Sequence, residues 1–264
     1  MNKNFTAKFG PWAVVTGASS GIGLALAEKL ASSGIHLILA ARSKNTLESV
    51  AESLIALHGV NVISVACDLA TSMGVLTLIA ACEKREVGLL VASAGFGTSG
   101  RFHEARFSDE QRMLDVNCGA VLSLTHHFSG KFVYQGRGGI ILLGSIVGFQ
   151  GTPMAAHYAA TKAYVQTLGE GIAEELRPYG VDVLIAAPGP VHTGFAKVAN
   201  MQMGNALRPE DLALPILHAL GKNVTVRPGL LSKFLSFALR TLPRWGRIRI
   251  MTMVMGGMTR HQTS

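Results

Sequence analysis

Tyr158 and Lys162 stand four positions apart in Tyr158-Ala159-Ala160-Thr161-Lys162, and Ser145 lies thirteen residues before the tyrosine. On a helix, that spacing places phenol and amine on one face. A free phenol has a pKa of about 10 and transfers protons poorly at neutral pH. An ammonium a few ångströms away favours the phenolate and lowers that value. The chemistry expected of the trio is proton transfer at an oxygen, with Tyr158 as general acid toward a carbonyl or general base toward an alcohol. Ser145 would bind the same oxygen through its hydroxyl. Tyr-x-x-x-Lys by itself is common as a solvated surface pair. A second motif near the N-terminus argues against that reading here.

That motif is Thr16-Gly17-Ala18-Ser19-Ser20-Gly21-Ile22-Gly23. It follows an apolar strand-like run and opens a helical pattern, the junction that holds a dinucleotide diphosphate. Gly17 permits a tight turn, and Gly21 and Gly23 let backbone and phosphate approach closely. The helix N-terminus adds free N–H groups and a favourable dipole. The next run ends Leu39-Ala40-Ala41-Arg42-Ser43. An NAD site usually carries an acid there for the ribose 2′-hydroxyl. Ala41 has no carboxylate, and Arg42, with Lys44 to assist, suits a 2′-phosphate, so NADP(H) is the expected cofactor. Asp68-Leu69 closes the third run, where the acid can accept from an adenine amino group. Ser93-Ala94-Gly95 closes the fourth, and Gly95 and Gly97 suggest backbone packed against a flat group. Turn chemistry explains these last two segments almost as well.

These residues need a frame. Ala13 to Val15, His36 to Ala41, Val60 to Ala66, Leu89 to Ala92, Gly139 to Leu143 and Val181 to Ala187 read as strands. Most are continuous apolar runs, as expected of parallel strands covered on both faces. Helical patterns lie between them; Leu24, Ala27, Leu30 and Ala31 form one stripe, with Glu28 and Lys29 off it. The alternation predicts an α/β fold, a doubly wound parallel sheet with helices on both faces. No Pro- or Ser-rich linker interrupts it. Residues 1–228 are expected to form the dinucleotide-binding and catalytic domain, and 229–264 a basic, apolar helical extension of the same domain.

Taken together, Thr16-Gly17-x-x-x-Gly21-x-Gly23, Asn117, Ser145, Tyr158-x-x-x-Lys162 and Pro188-Gly189 resemble the short-chain dehydrogenase/reductase family, from about Gly10 to Ala199. The resemblance implies a Rossmann fold with Tyr158 as acid/base and Ser145 orienting the substrate oxygen. Lys162 would bind the nicotinamide ribose and tune Tyr158, and Asn117, in the fourth crossover, would hold a water linking Lys162 to solvent. It further implies that Asp68 contacts adenine and that Pro188, Gly189, Val191 and Thr193 flank the nicotinamide, with NADP(H) supplying the hydride. One departure stands out: the family commonly has Asn-Asn-Ala-Gly where this chain has Ala92-Ser93-Ala94-Gly95. Ser93 is expected to replace part of the lost amide hydrogen bonding.

The net charge of +8 is segmental: from Leu212 onward there are eight Lys and Arg and no Asp or Glu. It accompanies apolar residues and no DNA-binding motif, so no nucleic-acid partner is expected. Leu231, Phe234, Leu235, Ala238, Leu239 and Leu242 fall at helical spacing, Pro243 ends that pattern, and a Met-rich segment, Met251 to Met258, follows Arg244-Trp245-Gly246-Arg247-Ile248-Arg249-Ile250. The tail is similar to those of hydroxysteroid and long-chain 3-oxoacyl reductases. Three readings of it stay open: ordinary core over the substrate cleft or at a dimer interface, contact with an anionic membrane through 230–260, or attraction of an acyl thioester's acidic carrier. Substrates are expected to be small hydrophobic carbonyls or alcohols, steroid-like or acyl thioesters, handled by a homo-oligomer.

With 48% hydrophobic and 15% charged residues the chain is not a disordered one. Cys67, Cys82 and Cys118 show neither zinc nor disulfide spacing, so no metal site and a reducing compartment are expected. Met1 to Lys8 lacks the apolar core of a signal peptide. No apolar run reaches the ~18 residues that span a bilayer. The expected location is the cytoplasm, with attachment to a membrane surface left open. Two rival functions are a non-catalytic NADP(H) sensor and a membrane-associated scaffold. Neither needs the four proton-transfer positions, all of which are present.

Overall fold

The protein is described here from a computed structural model covering residues 3–204, 206–229 and 241–262. Seven parallel strands form one sheet: β1 (Trp12–Thr16), β2 (His36–Ala41), β3 (Val62–Ala66), β4 (Val87–Ala92), β5 (Gly138–Leu143), β6 (Val181–Ala186) and the two-residue β7 (Thr225–Val226). Their spatial order is β3-β2-β1-β4-β5-β6-β7. Chain direction of travel therefore reverses between β1 and β4, the switch point at which such sheets open a crevice beyond the strand ends.

The continuous apolar strands are buried on both sides because alternate residues feed two different cores. Val15, Leu37 and Leu39 join α2 (Gly21–Ala31), α3 (Lys44–His58) and α9 (Pro209–Ala219) on one face. Val14, Ile38 and Leu90 meet α4 (Ser72–Cys82), α6 (Val121–Gln135) and α7 (Ala156–Leu176) on the other. A short α1 (Lys3–Phe9) precedes the sheet, α5 (Phe107–Leu114) leads into α6, and α8 (Phe195–Val198) precedes α9.

Two features go beyond the sequence pattern. The crossover from β4 to β5 is not a regular helix: α5 and α6 are joined by a π-helical turn, Asp115–Ala120, with Asn117 inside it. Such turns are rare and concentrate at functional sites. At the other end of the chain, Arg244–Met258 forms a helix, here α10, with Pro243 in extended backbone at its N-cap. Most of the helix expected from Leu230 to Leu242 lies outside the described residues, and Thr241 and Leu242 form a turn and a bend. Among the described residues no helix is long and apolar enough to cross a membrane.

Candidate active site

A cleft of about 420 Å³ opens at the switch point. It is lined by Gly17, Ser19, Ser20, Gly21, Ile22, Gly23, Arg42, Asp68, Leu69, Ser93, Ala94, Gly95, Ser145, Tyr158, Lys162, Pro188, Gly189, Val191 and Thr193. Asn117, also singled out from sequence, sits behind this surface, 1% exposed.

The floor at one end is a backbone cradle. Gly17 has φ +66, and a Cβ there would lie 2.9 Å from the Ala94 Cα. Gly21 has φ +59, and its Cβ would lie 2.9 Å from the Thr193 methyl. Left-handed backbone and close contact together require glycine at both. Ser20 caps α2 in extended backbone, yet its side chain makes no capping bond. The first-turn N–H groups of α2 are thus left for whatever enters the cleft, and an anion is what they attract. The cradle fits a dinucleotide diphosphate.

Beyond it, Arg42 is exposed at the cleft edge. Lys44, expected to assist it, is outside the cleft lining and pairs instead with Glu48 one turn on, at 3.9 Å. Asp68 is gripped by a residue the sequence did not single out: Arg112 Nη2 donates to its Oδ2 at 2.8 Å, and the Ala70 N–H donates to Oδ1 at 3.1 Å. Burial pushes this carboxyl up, but the Arg112 and Ala70 hydrogen bonds and the Arg112 and Arg42 charges outweigh it and hold the pKa below the usual range. Arg112 also lines the cleft. Its partner is 44 residues away, so no local pattern could have shown the pair.

The segment after β4 is held by Thr16. Its Oγ1 accepts from the N–H groups of Ser93 at 3.0 Å and Ala94 at 2.9 Å. The hydroxyl tying β1 to this segment therefore belongs to Thr16.

At the other end of the cleft stand Ser145, Tyr158 and Lys162. Ser145 follows β5 in extended backbone and opens a 3₁₀ turn, its Oγ accepting from the Val147 N–H at 3.4 Å. Tyr158 and Lys162 share one face of α7, both buried. Lys162 Nζ donates to the Leu143 carbonyl at 2.7 Å and lies 5.9 Å from the centre of the Tyr158 ring. Burial pushes the Tyr158 phenol up to about 12, partly offset by its hydrogen bond with Ser145. Burial pushes the Lys162 amine down to about 8. The lowering of the phenol pKa expected from its lysine neighbour is overturned: the amine is directed to a main-chain carbonyl, and desolvation of the ring dominates.

Asn117 braces this cluster from behind. Its Nδ2 donates to the Phe96 carbonyl at 2.8 Å and to Thr161 Oγ1 at 3.0 Å, while its Oδ1 accepts from the Phe96 N–H at 3.1 Å. A Cβ on Gly95 would lie 3.0 Å from Asn117 Oδ1 and 3.5 Å from Lys162 Nζ, so the glycine keeps the two side chains close.

Above Tyr158 the cleft becomes an apolar vault. Phe195 packs on the tyrosine with ring centres 5.2 Å apart. Met201, Met251 and Met255 are buried around them, with Phe96 and Met258 partly so. Three of those methionines, Met251, Met255 and Met258, come from α10, which is stitched over the loops that border the cleft. Met258 accepts from the Gln202 N–H at 2.9 Å, and Gln262 Nε2 donates to Ser99 Oγ at 2.8 Å. Of the open readings for the tail, residues 244–262 follow the first and roof the cleft.

The buried lysine makes stability depend on pH. In the unfolded chain Lys162 keeps its proton to about 10.5, whereas in the fold it releases it near 8. The unfolded state therefore binds more protons between these values, and this group's contribution to stability rises with pH across that window. Cys67, Cys82 and Cys118, pushed up from 9.0 to about 11 by burial, act in the opposite sense over 9 to 11. Comparison with Lys162→Met cancels them: the wild-type melting temperature should gain on the variant's from pH 8 to 10, and parallel curves would refute the assignment.

A glycine cradle suited to an anion and a buried tyrosine–lysine pair at opposite ends of one cleft are what an oxidoreductase working with a bound nucleotide requires. The chain belongs to the short chain dehydrogenase family, which matches residues 11–204. It is 32% identical over 234 residues to the 7beta-hydroxysteroid dehydrogenase of Clostridium sardiniense, covering 87% of this chain and 90% of that protein. A solved structure of a 7beta-hydroxysteroid dehydrogenase superposes with a TM-score of 0.87 at 27% identity, covering 95% of this chain and 99% of the other. A short-chain dehydrogenase from Sphingobium yanoikuyae, solved in complex with NADPH, gives a TM-score of 0.81 at 30% identity, covering 88% and 92%.

Proposed function

We propose that the protein reduces bulky, apolar ketones of steroid size to secondary alcohols with NADPH. The observation that carries this reading is the position of Tyr158, buried where the diphosphate cradle's cleft meets the methionine-lined vault. The relation to 7beta-hydroxysteroid dehydrogenases and to a structure holding NADPH supports it.

Bound NADPH supplies the hydride. The chain's own residues do the rest. Ser145 Oγ and the Tyr158 hydroxyl both reach the substrate carbonyl oxygen, polarising it and fixing which face is presented. Tyr158 is protonated throughout the neutral range, the form a general acid needs. As the oxygen takes that proton, negative charge develops on the phenol, and the Lys162 ammonium beside the ring stabilises it. Gly17 to Gly23 hold the diphosphate, Arg42 the 2′-phosphate and Asp68, fixed by Arg112, the adenine edge.

The test is NADPH oxidation against ketosteroids, small ketones and 3-oxoacyl thioesters, repeated with NADH. Ketosteroids should turn over fastest, with NADPH strongly preferred. Arg42→Asp should cut kcat/KM for NADPH by about 10- to 100-fold, the loss of a charge-assisted bond of roughly 1.5–3 kcal/mol, and leave NADH usage unchanged or improved. Tight NADPH binding with no turnover of any carbonyl would instead favour a nucleotide sensor.

A further inference from the structure

We propose that Phe195, seated in a notch left by Gly97, decides which of a ketone's two substituents lies against Tyr158, and so which alcohol epimer forms. This makes it a specificity-determining residue of the ketone reduction proposed above, and it stands only if that reduction does. The Phe195 and Tyr158 rings sit 5.2 Å apart, centre to centre, and are tilted by 49°. Both converge on Gly97, which is buried. A Cβ there would lie 2.6 Å from Phe195 Cζ, 3.0 Å from Phe195 Cε2 and 3.1 Å from Tyr158 Cδ2. Any larger residue would press on both rings, so the missing side chain at 97 is what brings Phe195 up to the tyrosine. The seat is also tied from its own element. At the start of α8 the Phe195 N–H donates to Thr193 Oγ1 at 3.2 Å. Just past its end the Ala199 carbonyl accepts from the Ser99 hydroxyl at 2.5 Å. Ser99 follows Gly97 by two residues, so notch and ring are held to each other.

The reaction makes such a wall selective. With the carbonyl oxygen held by Tyr158 and Ser145, and hydride delivered from one side, a ketone keeps two orientations. They differ by a half-turn about the C=O axis, which exchanges the substituents and presents the opposite face of the carbon. In one orientation the thicker substituent is driven against Phe195; in the other the slimmer one is. The rest of the apolar lining gives way where this wall does not. Met201, Met251 and Met255 are unbranched and adapt to the shape beside them. Phe195 is a rigid ring set against the Gly97 main chain. The thicker substituent is thus directed into the methionine vault and the slimmer one to Phe195.

The experiment measures the two alcohol epimers formed with NADPH from an aryl methyl ketone and from a ketosteroid, for the wild type, Phe195→Leu and Phe195→Ala. The wild type should form one epimer in excess. Phe195→Ala should lower that excess by about tenfold or more, the span that small changes of apolar volume command in a pocket, and Phe195→Leu by less. Phe195→Ala should also raise kcat/KM for a diaryl ketone over that for the aryl methyl ketone by about tenfold or more. A general loss of stability lowers both rates together and leaves these ratios where they were. Gly97→Ala should lower kcat/KM by unseating the ring, and Phe195→Ala in the same chain should recover most of that loss. An epimer ratio unmoved in both Phe195 variants overturns the proposal, as does a Gly97→Ala defect that Phe195→Ala leaves untouched. A wild type that binds NADPH yet reduces no ketone removes the proposed reduction and this role with it. Fixed ratios in a protein that does reduce ketones remove this role alone.

Discussion

Tyr158→Phe is expected to lower kcat for ketone reduction by about 100- to 10,000-fold, the span typical of a lost general acid, while NADPH affinity stays near that of the wild type. The reasoning is geometric. The ring is buried against Phe195, and phenylalanine keeps that packing. What disappears is one hydroxyl, hydrogen-bonded to Ser145, at the junction of cradle and vault. Stopped turnover should therefore accompany an intact fold and an undisturbed nucleotide titration. Turnover within about tenfold of wild type would mean that the proton comes from another group.

Gly23→Ala should be nearly as severe by a different route. A Cβ at this position would collide with the Gly17 carbonyl oxygen and lie 2.9 Å from the Gly17 carbon and 3.1 Å from the Thr16 oxygen. All three are main-chain atoms, so no side chain can swing away. The start of α2 must move off the end of β1. Overpacking of this kind costs roughly 1–3 kcal/mol of stability, and displacement of reacting groups by about 1 Å can cost about 100-fold in rate. Both a lower melting temperature and a kcat/KM loss of that order with NADPH are expected. A variant with wild-type nucleotide affinity would show that the junction is slack and that the diphosphate is held elsewhere.

The parts of the site that could be read in advance are those whose logic is local. The Tyr158–Lys162 spacing needs only one helix turn, the glycine loop only one strand–helix junction, and the apolar runs only a sheet covered on both faces. What escaped reading depends on partners distant in the chain. Thr16 holds a segment 77 residues on, and Arg112 holds Asp68 across 44. Residues 244–262 were legible as apolar and basic, but not as the roof over loops near Ser99 and Gln202. The upward shift of the Tyr158 pKa runs against the expectation for the same reason. Depth of burial and the Leu143 carbonyl are products of the assembled fold, and proximity of phenol and amine along a helix shows neither.

The clasp between Ser99 and Gln262 closes a span of 163 residues with a few hydrogen bonds at the rim of the molecule, while the sheet beneath is continuous. Contacts of that kind open at far lower free energy than a central strand does. The two halves of the cleft consequently differ in how they breathe. Detaching α10 would uncover the methionines of the vault, whereas the glycine cradle, built on the strand ends, would keep its shape. A ligand in the vault would then have an exit that leaves the nucleotide end of the cleft untouched.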